Sequence, residues 1–135
     1  MAEAIAHSLT DMLAGLSPAL DTETYLFVTS TSPPADALAA AMGWFREDEG
    51  VSLILPEAAA LASGFAEGSP MRRITLQVHS SLDGVGLTAA VSGLLAANGI
   101  ACNMVAAFHH DHLFVPADQA EKALTLLRGL QQDAA

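Results

Sequence analysis

The chain has 135 residues, the size of one domain or of two very small ones that share a core. Fifteen acidic and five basic residues give a formal charge of −10, so the chain lacks the basic surface that binding to nucleic acid or to an anionic membrane requires. Its single cysteine, Cys102, excludes an intramolecular disulfide. The sequence shows neither a signal-peptide pattern nor an apolar run of membrane-spanning length, which predicts a cytoplasmic protein.

The N-terminal half alternates between helical and strand patterns. Ser8 and Asp11 form a capping-box pattern at the start of a short amphipathic helix. The residues that follow predict a strand over 24–29, a helix over 35–42, a short strand over 44–46, a strand over 51–55 and a helix over 57–62. The stretch 65–70 ends in Gly-Ser-Pro, which is typical of a linker.

The C-terminal half has the same order of elements with stronger patterns. The sequence predicts strands over 74–78, 100–108 and 112–115, a helix from 85 to 98 and a closing helix over 118–130. Asp83 is placed to cap the first of these helices, and Asn98-Gly99 is placed to end it.

Both halves therefore follow the order β-α-β-β-α, which predicts an α+β protein made of two degenerate units. The units span residues 1–68 and 69–135, and we expect them to be interleaved as one compact domain with a shared, mostly antiparallel sheet and helices on one face. In particular, the strand over 24–29 is expected in the same sheet as the strand over 74–78.

A polar, glycine-containing loop precedes the main helix. Its seven residues are Ser80, Ser81, Leu82, Asp83, Gly84, Val85 and Gly86. Backbone N–H groups at the positive end of a helix suit the carboxylate of a small zwitterion, and Asp83 or Asn103 would accept its ammonium group. Gly84 and Gly86 would let the ligand approach the backbone closely. The alternative is an ordinary strand-to-helix turn in which the serines and Asp83 only cap.

A histidine cluster, consisting of His109, His110 and His112 around Asp111, offers a second hypothesis. Imidazole and carboxylate are suitable zinc ligands, so a small metal-dependent enzyme is an alternative function. The competing interpretation is a hairpin turn in which Asp111 bonds to nearby backbone. No nucleophile elbow is present, and Cys102 is predicted to lie in the core, so we predict no catalytic residue.

Several motifs resemble the ACT domain. The loop Asp83-Gly84-Val85-Gly86-Leu87 is followed by a helix, Gly99-Ile100 and an alternating strand, which is similar to the common ACT pattern, although Val85 stands where that pattern has proline. Arg73-Ile74-Thr75-Leu76 and His110-Asp111-His112-Leu113-Phe114-Val115-Pro116 resemble small stand-alone ACT proteins of unassigned function. The same subtype is similar to the regulatory domains of aspartate kinases and to cytosolic arginine sensors. The strong resemblance covers residues 71–130.

The resemblance implies a ferredoxin-like fold and a non-catalytic regulatory or sensor module that binds an amino acid and acts as a homodimer. It implies no cofactor and no metal. The expected ligand-binding residues are those of the polar loop together with one strand residue: Ser80, Ser81, Leu82, Asp83, Gly84, Val85, Gly86 and Asn103.

Overall fold

The computed structural model describes residues 5–6, 8–65, 68–80 and 83–135. Within these ranges the elements are, in chain order, α1 (Leu9–Ala14), β1 (Pro18–Ser30), α2 (Ala35–Ala40), β2 (Gly43–Glu47), β3 (Gly50–Pro56), α3 (Glu57–Ala62), β4 (Met71–Leu76), α4 (Leu87–Ala97), β5 (Asn103–Ala106), β6 (Asp111–Pro116) and α5 (Ala120–Ala134). A short 3-10 helix, Ala117–Gln119, leads into α5. Each predicted element is present; α3 has the predicted ends, and the ends of the other elements are shifted.

The strands form one six-stranded sheet in the order β2-β3-β1-β4-β6-β5. The pairs β1–β3, β2–β3 and β5–β6 are antiparallel. The predicted α+β class with a shared, mostly antiparallel sheet is therefore confirmed. The expectation that a strand of the N-terminal half would join the sheet of the C-terminal half is also confirmed, because β1 and β4 are strands of this one sheet.

One compact unit contains Arg73–Ala135 together with the N-terminal residues up to Asp21. Its core combines alternate residues of β4 and β6 with the apolar stripes of α4 and α5. The predicted stripe of α4 is buried at Leu87, Val91 and Leu95. Such burial stabilises the fold by about 1.5–3 kcal/mol for each large apolar side chain.

The other compact unit is Thr22–Arg72. Its smaller core consists of Leu26, Ala37, Leu53, Leu55 and Ala60. Leu26 lies opposite Leu55 in the β1–β3 ladder, and such directly paired residues share one face of a sheet. On β2, which is an edge strand, Trp44 and Phe45 are 49% and 74% exposed.

Three predictions concern residues that cap the helices; one of them is wrong and two are confirmed. Helix α4 begins at Leu87 after Gly86, and no side chain caps it, so the prediction that Asp83 caps this helix is wrong. The reason is that Asp83 lies three residues before the cap position. The end of α4 is as predicted, since Asn98 is its last cap residue and Gly99 has a φ of 70°. Ser8 caps α1 as predicted, because its side chain accepts a hydrogen bond from the Asp11 N–H at 3.1 Å.

Strand β5 is shorter than predicted, because its ladder with β6 covers only Asn103 to Ala106. Beyond it, the Ala107 N–H donates to the carbonyl of His110 at 3.1 Å, which closes the turn. The prediction of a strand that continues to residue 108 is therefore wrong at its end, because Phe108 lies outside the strand, and its side chain is 75% exposed.

Candidate ligand site

A cavity of about 190 Å³ lies within the unit that contains α4 and α5. It is lined by Met12, Ser80, Gly84, Gly86, Leu87, Thr88, Ala106, Ala107, His109, His110 and Asp111. This volume is below the range of about 300–1,000 Å³ that is usual for drug-sized ligands. The cavity is therefore suited to a small metabolite rather than to a nucleotide cofactor.

The first wall of the cavity is the N-terminus of α4. Gly86 precedes the helix with a φ of 104°, and Leu87 and Thr88 follow it along the wall. The first bond within the helix runs from the Ala90 N–H to the Gly86 carbonyl, so the earlier N–H groups have no acceptor inside the helix. Together with the helix dipole, these N–H groups favour a negatively charged group at this wall.

Two neighbouring segments support this wall. The backbone N–H of Ala6 donates to the carbonyl of His79 at 2.8 Å, and Ala6 forms a parallel bridge with Ser80. From α1, Met12 contributes an apolar surface and is only 1% exposed. The N-terminal segment therefore helps to position the residue at which the predicted binding loop begins.

The second wall is the turn between β5 and β6. Ala106 is paired with Asp111 at the ends of the two strands, so the backbone of the turn is fixed by the ladder. The ring of His110 makes a hydrogen bond with the carbonyl of Val78 through Nδ1, at 3.4 Å. The ring of His109 lies edge-on to Phe108, with 5.0 Å between the ring centroids. The polar loop and the histidine turn, which support separate hypotheses in the sequence, thus line a single cavity.

Asp111 is the carboxylate that lines this cavity among the described residues. Burial raises the pKa of its carboxyl group, and the nearby His112 and His110 oppose that rise. Desolvation of an anion is the dominant effect, so a cationic group placed beside Asp111 would stabilise its charged form.

The remaining predicted binding residues lie elsewhere or are not described. Asp83, Val85 and Asn103 are not among the residues that line the cavity. Val85 is 83% exposed, and the side-chain amide of Asn103 donates to the carbonyl of Phe114 at 3.2 Å. Ser81 and Leu82 lie outside the described residues. Of the predicted set, Ser80, Gly84 and Gly86 line the cavity.

Sequence reasoning did not assign Met12, Thr88 or the alanines of the turn to the site. Thr88 follows the predicted loop by two residues, so its position in the first turn of the helix was an available signal. Met12 carried no such signal, because it belongs to a helix far from the loop in the chain and joins the site only through tertiary packing.

The histidines do not converge on one point. His112 makes a 2.9 Å hydrogen bond with the hydroxyl of Thr75, and it is not among the cavity residues. The rings of His79 and His109 are 6.1 Å apart between centroids. In the described ranges, no group of three His, Cys, Asp or Glu side chains is arranged to hold a metal ion. The metal-dependent enzyme therefore gains no support from this geometry.

Cys102 is half-buried and packs against the core of its unit. Burial raises the pKa of its thiol, which disfavours the thiolate that nucleophilic chemistry needs.

No helix in the described ranges combines the length and the apolar character needed to cross a lipid bilayer.

Comparison with known proteins identifies the family. Two ACT domain models match the chain, one over residues 69–129 and the other over residues 6–72. No curated protein matches it significantly. Both halves of the sequence thus have ACT character, although the stronger motifs lie in the second.

Solved structures agree with this result. A Vibrio cholerae protein of unknown function, described as a possible transport protein, is 39% identical with a TM-score of 0.79, over 87% of this chain and 91% of that chain. An Agrobacterium tumefaciens protein is 23% identical with a TM-score of 0.65, over 80% of this chain and 81% of that one. The ligand-free regulatory subunit of aspartate kinase from Thermus thermophilus is 12% identical with a TM-score of 0.60, over 86% and 97%. The last two similarities concern the fold alone.

The two family matches support a regulatory module of the kind that binds a small ligand. The chain belongs to the ACT domain family, as its motifs predicted, and its ferredoxin-like fold is the fold of that family.

Proposed function

We propose that this protein is a non-catalytic amino-acid sensor of the cytoplasm, which binds its ligand in the cavity between the start of α4 and the β5–β6 turn. The observation that carries the proposal is the arrangement of that cavity. The positive end of a helix forms one wall and a carboxylate, Asp111, lies on the other. An amino acid carries the two complementary charges on one carbon atom.

The proposed binding mode assigns the ligand carboxylate to the wall that contains Leu87 and Thr88. Backbone N–H groups and the Thr88 hydroxyl would donate to it, and hydrogen bonds to a charged group are stronger than neutral ones. Met12 and Leu87 supply the apolar surface for a ligand side chain. A ligand that binds one conformation or assembly better than another shifts the population toward it, which is how a sensor without catalysis acts on a partner.

The proposal includes a symmetric homodimer. Strand β2 is an edge of the sheet and exposes both Trp44 and Phe45, and edge strands of this kind favour pairing with another chain. A two-fold dimer is the most frequent closed assembly for identical chains.

A thermal-shift screen of the twenty amino acids, with divalent metals in parallel, tests the proposed function. A bound ligand raises the unfolding midpoint, so at least one amino acid should do so, whereas the metals should not. The ligand found in this way is then titrated calorimetrically into Thr88→Val, which removes the hydroxyl at the cavity and keeps a β-branched side chain. Affinity should fall by about 2–10-fold, the value of one neutral hydrogen bond.

The matched control is Thr125→Val, because Thr125 is an exposed threonine of α5 whose hydroxyl donates to the carbonyl of Glu121. This variant should bind as the unaltered protein does. If the two variants lose the same affinity, the proposed binding mode at Thr88 is wrong. If no amino acid shifts the midpoint, the proposed function is wrong.

A further inference from the structure

We infer that Asp111 binds the amino group of the ligand, so that the β5–β6 turn makes the site selective for amino acids over the corresponding 2-hydroxy acids. This inference rests on the proposed function and assigns a specificity-determining residue to the same cavity. It also gives a binding role to the turn whose histidines offered a metal-site hypothesis.

Two parts of the cavity lining have opposite electrostatic character. The N-terminus of α4 attracts an anion, and Asp111, at the start of β6, contributes a carboxylate to the same cavity. A ligand carboxylate placed beside Asp111 would be repelled, whereas an ammonium group would form a charge-assisted hydrogen bond. The orientation of an α-amino acid is therefore fixed by electrostatics at both walls.

His110 helps to fix the position of Asp111 in the turn. A backbone carbonyl only accepts, so in the hydrogen bond between His110 and Val78 the Nδ1 of the ring donates. Asp111, the next residue, is paired with Ala106 at the end of the β5–β6 ladder. The backbone on both sides of the Asp111 carboxylate is therefore held in place, so an ammonium group can be recognised without reordering the turn.

Histidines are titratable neighbours of Asp111 in the described part of the chain, and Arg73 on the adjacent strand β4 is a further charged group, which lowers the pKa of His112. His109 and His110 share the cavity lining, and His112 is the next residue along β6. Burial raises the pKa of Asp111 despite these neighbours, so an ammonium ligand would lower that pKa on binding. By linkage, affinity should decrease as the pH falls through the pKa of Asp111 in the free protein.

The experiment compares paired ligands by calorimetric titration: L-alanine with L-lactate, L-aspartate with L-malate, L-leucine with L-2-hydroxyisocaproate and L-phenylalanine with L-phenyllactate. The unaltered protein should bind the amino acid of a recognised pair about ten-fold or more tightly than its hydroxy acid. Asp111→Asn should remove most of that preference, because the amide lacks the charge. Asp111→Glu should retain the preference, since the carboxylate is still present. The control for charge is Asp118→Asn, an exposed aspartate outside the cavity.

The ratio of the two affinities distinguishes recognition from a structural role. If Asp111→Asn weakens the amino acid and the hydroxy acid equally, Asp111 only maintains the turn and the inference is overturned while the proposed function stands. If Asp111→Asn leaves both affinities unchanged, the inference is overturned in the same way. If none of the four pairs contains a ligand, the amino acid found by the thermal-shift screen is paired with its own 2-hydroxy acid, and equal affinities for that pair overturn the inference. If none of the twenty amino acids binds the unaltered protein, both the proposed function and the inference fail.

Discussion

Among single residues, Gly86 shows how the cavity wall at the start of α4 depends on backbone conformation. Its φ of 104° is rarely adopted by residues with a side chain, and a Cβ atom there would lie 3.2 Å from Cδ2 of Leu9. The sequence predicts that Gly86 gives a ligand access to the backbone. In the structure, a Cβ atom at this position would press against the side chain of Leu9, so a substitution at Gly86 should affect folding as well as the proposed binding.

Alanine substitutions at two glycines of the same region should change the free energy of unfolding in opposite directions. Gly86→Ala should lower the free energy of unfolding by about 1–2 kcal/mol, because of the left-handed backbone and the contact with Leu9. Gly93→Ala should raise it by about 0.5–1 kcal/mol, since Gly93 lies inside α4 with open space around it. Urea unfolding measures both values. Equal effects of the two substitutions would refute this account of Gly86.

His112 should make the stability of the folded protein depend on pH. Burial lowers the pKa of its imidazole below the ordinary 6.5, and Arg73 and His110 lower it further, against the opposing effect of Asp111. Below 6.5 the unfolded chain therefore takes up a proton that the folded protein resists, so this residue makes stability fall as the pH decreases toward the lowered value. Above 6.5 the contribution is constant.

His112→Gln should reduce that fall. Unfolding free energies measured in urea at about pH 7.5 and about pH 5.5 give the slope for each protein. The variant loses the hydrogen bond with Thr75 and should be less stable at both values, yet its slope should be shallower. Identical slopes would show that His112 does not contribute to the pH dependence.

At the scale of elements, α1 depends on its neighbours, because an isolated helix of six residues is not stable in water. The side chain of Gln131, which belongs to α5, makes two hydrogen bonds at the C-terminal end of α1. The side-chain N–H of Gln131 donates to the carbonyl of Ala14 at 3.0 Å, and its side-chain oxygen accepts from the N–H of Ser17 at 3.0 Å. Because Met12 of α1 lines the cavity, these two hydrogen bonds connect α5 to the candidate site.

Gln131→Ala should therefore lower the free energy of unfolding by about 1–3 kcal/mol, the value of two hydrogen bonds. It should also weaken binding of the amino acid found by the thermal-shift screen, because Met12 is less well positioned. Gln132→Ala is the matched control, since Gln132 is exposed on the same turn of α5, and it should change stability by less than about 0.5 kcal/mol. Comparable losses of stability in the two variants would contradict this role of Gln131.

Most elements follow from the sequence because their causes are local. The period of two in β4, the helical spacing of Leu87, Val91 and Leu95, and the cap at Ser8 all act within a few residues of one another. The start of α4 was predicted too early because Asp83 is a good capping residue, and spacing alone does not show where the first helical turn closes.

The cavity does not follow from the sequence in the same way. Its two walls come from separate segments of the chain, residues 84–88 and 106–111, and they meet because β4 and β6 are neighbours in the sheet. That order is a property of the whole fold. For this reason the sequence associated Asp83 and Asn103 with the ammonium group, whereas the carboxylate that lines the cavity is Asp111.

At the scale of the whole molecule, we expect light scattering at micromolar concentration to give twice the chain mass of 13.9 kDa. Phe45→Asp should shift the mass toward that of one chain, because it places a charge on the exposed edge strand β2. Leu61→Asp changes a side chain that is 57% exposed on α3 and should leave the dimer intact. A single-chain mass for the unaltered protein would contradict the proposed assembly.

NMR titration can show whether the cavity between α4 and the β5–β6 turn binds an amino acid. Backbone amide shifts are followed while each amino acid is added to the uniformly ¹⁵N-labelled full chain. We expect one amino acid to shift the amide signals of four residues that line the cavity, with little change along Gly43–Glu47 of β2. The four residues are Gly86, Thr88, Ala107 and Asp111. Shifts confined to residues away from the cavity, or no saturable shift with any amino acid, would contradict this expectation.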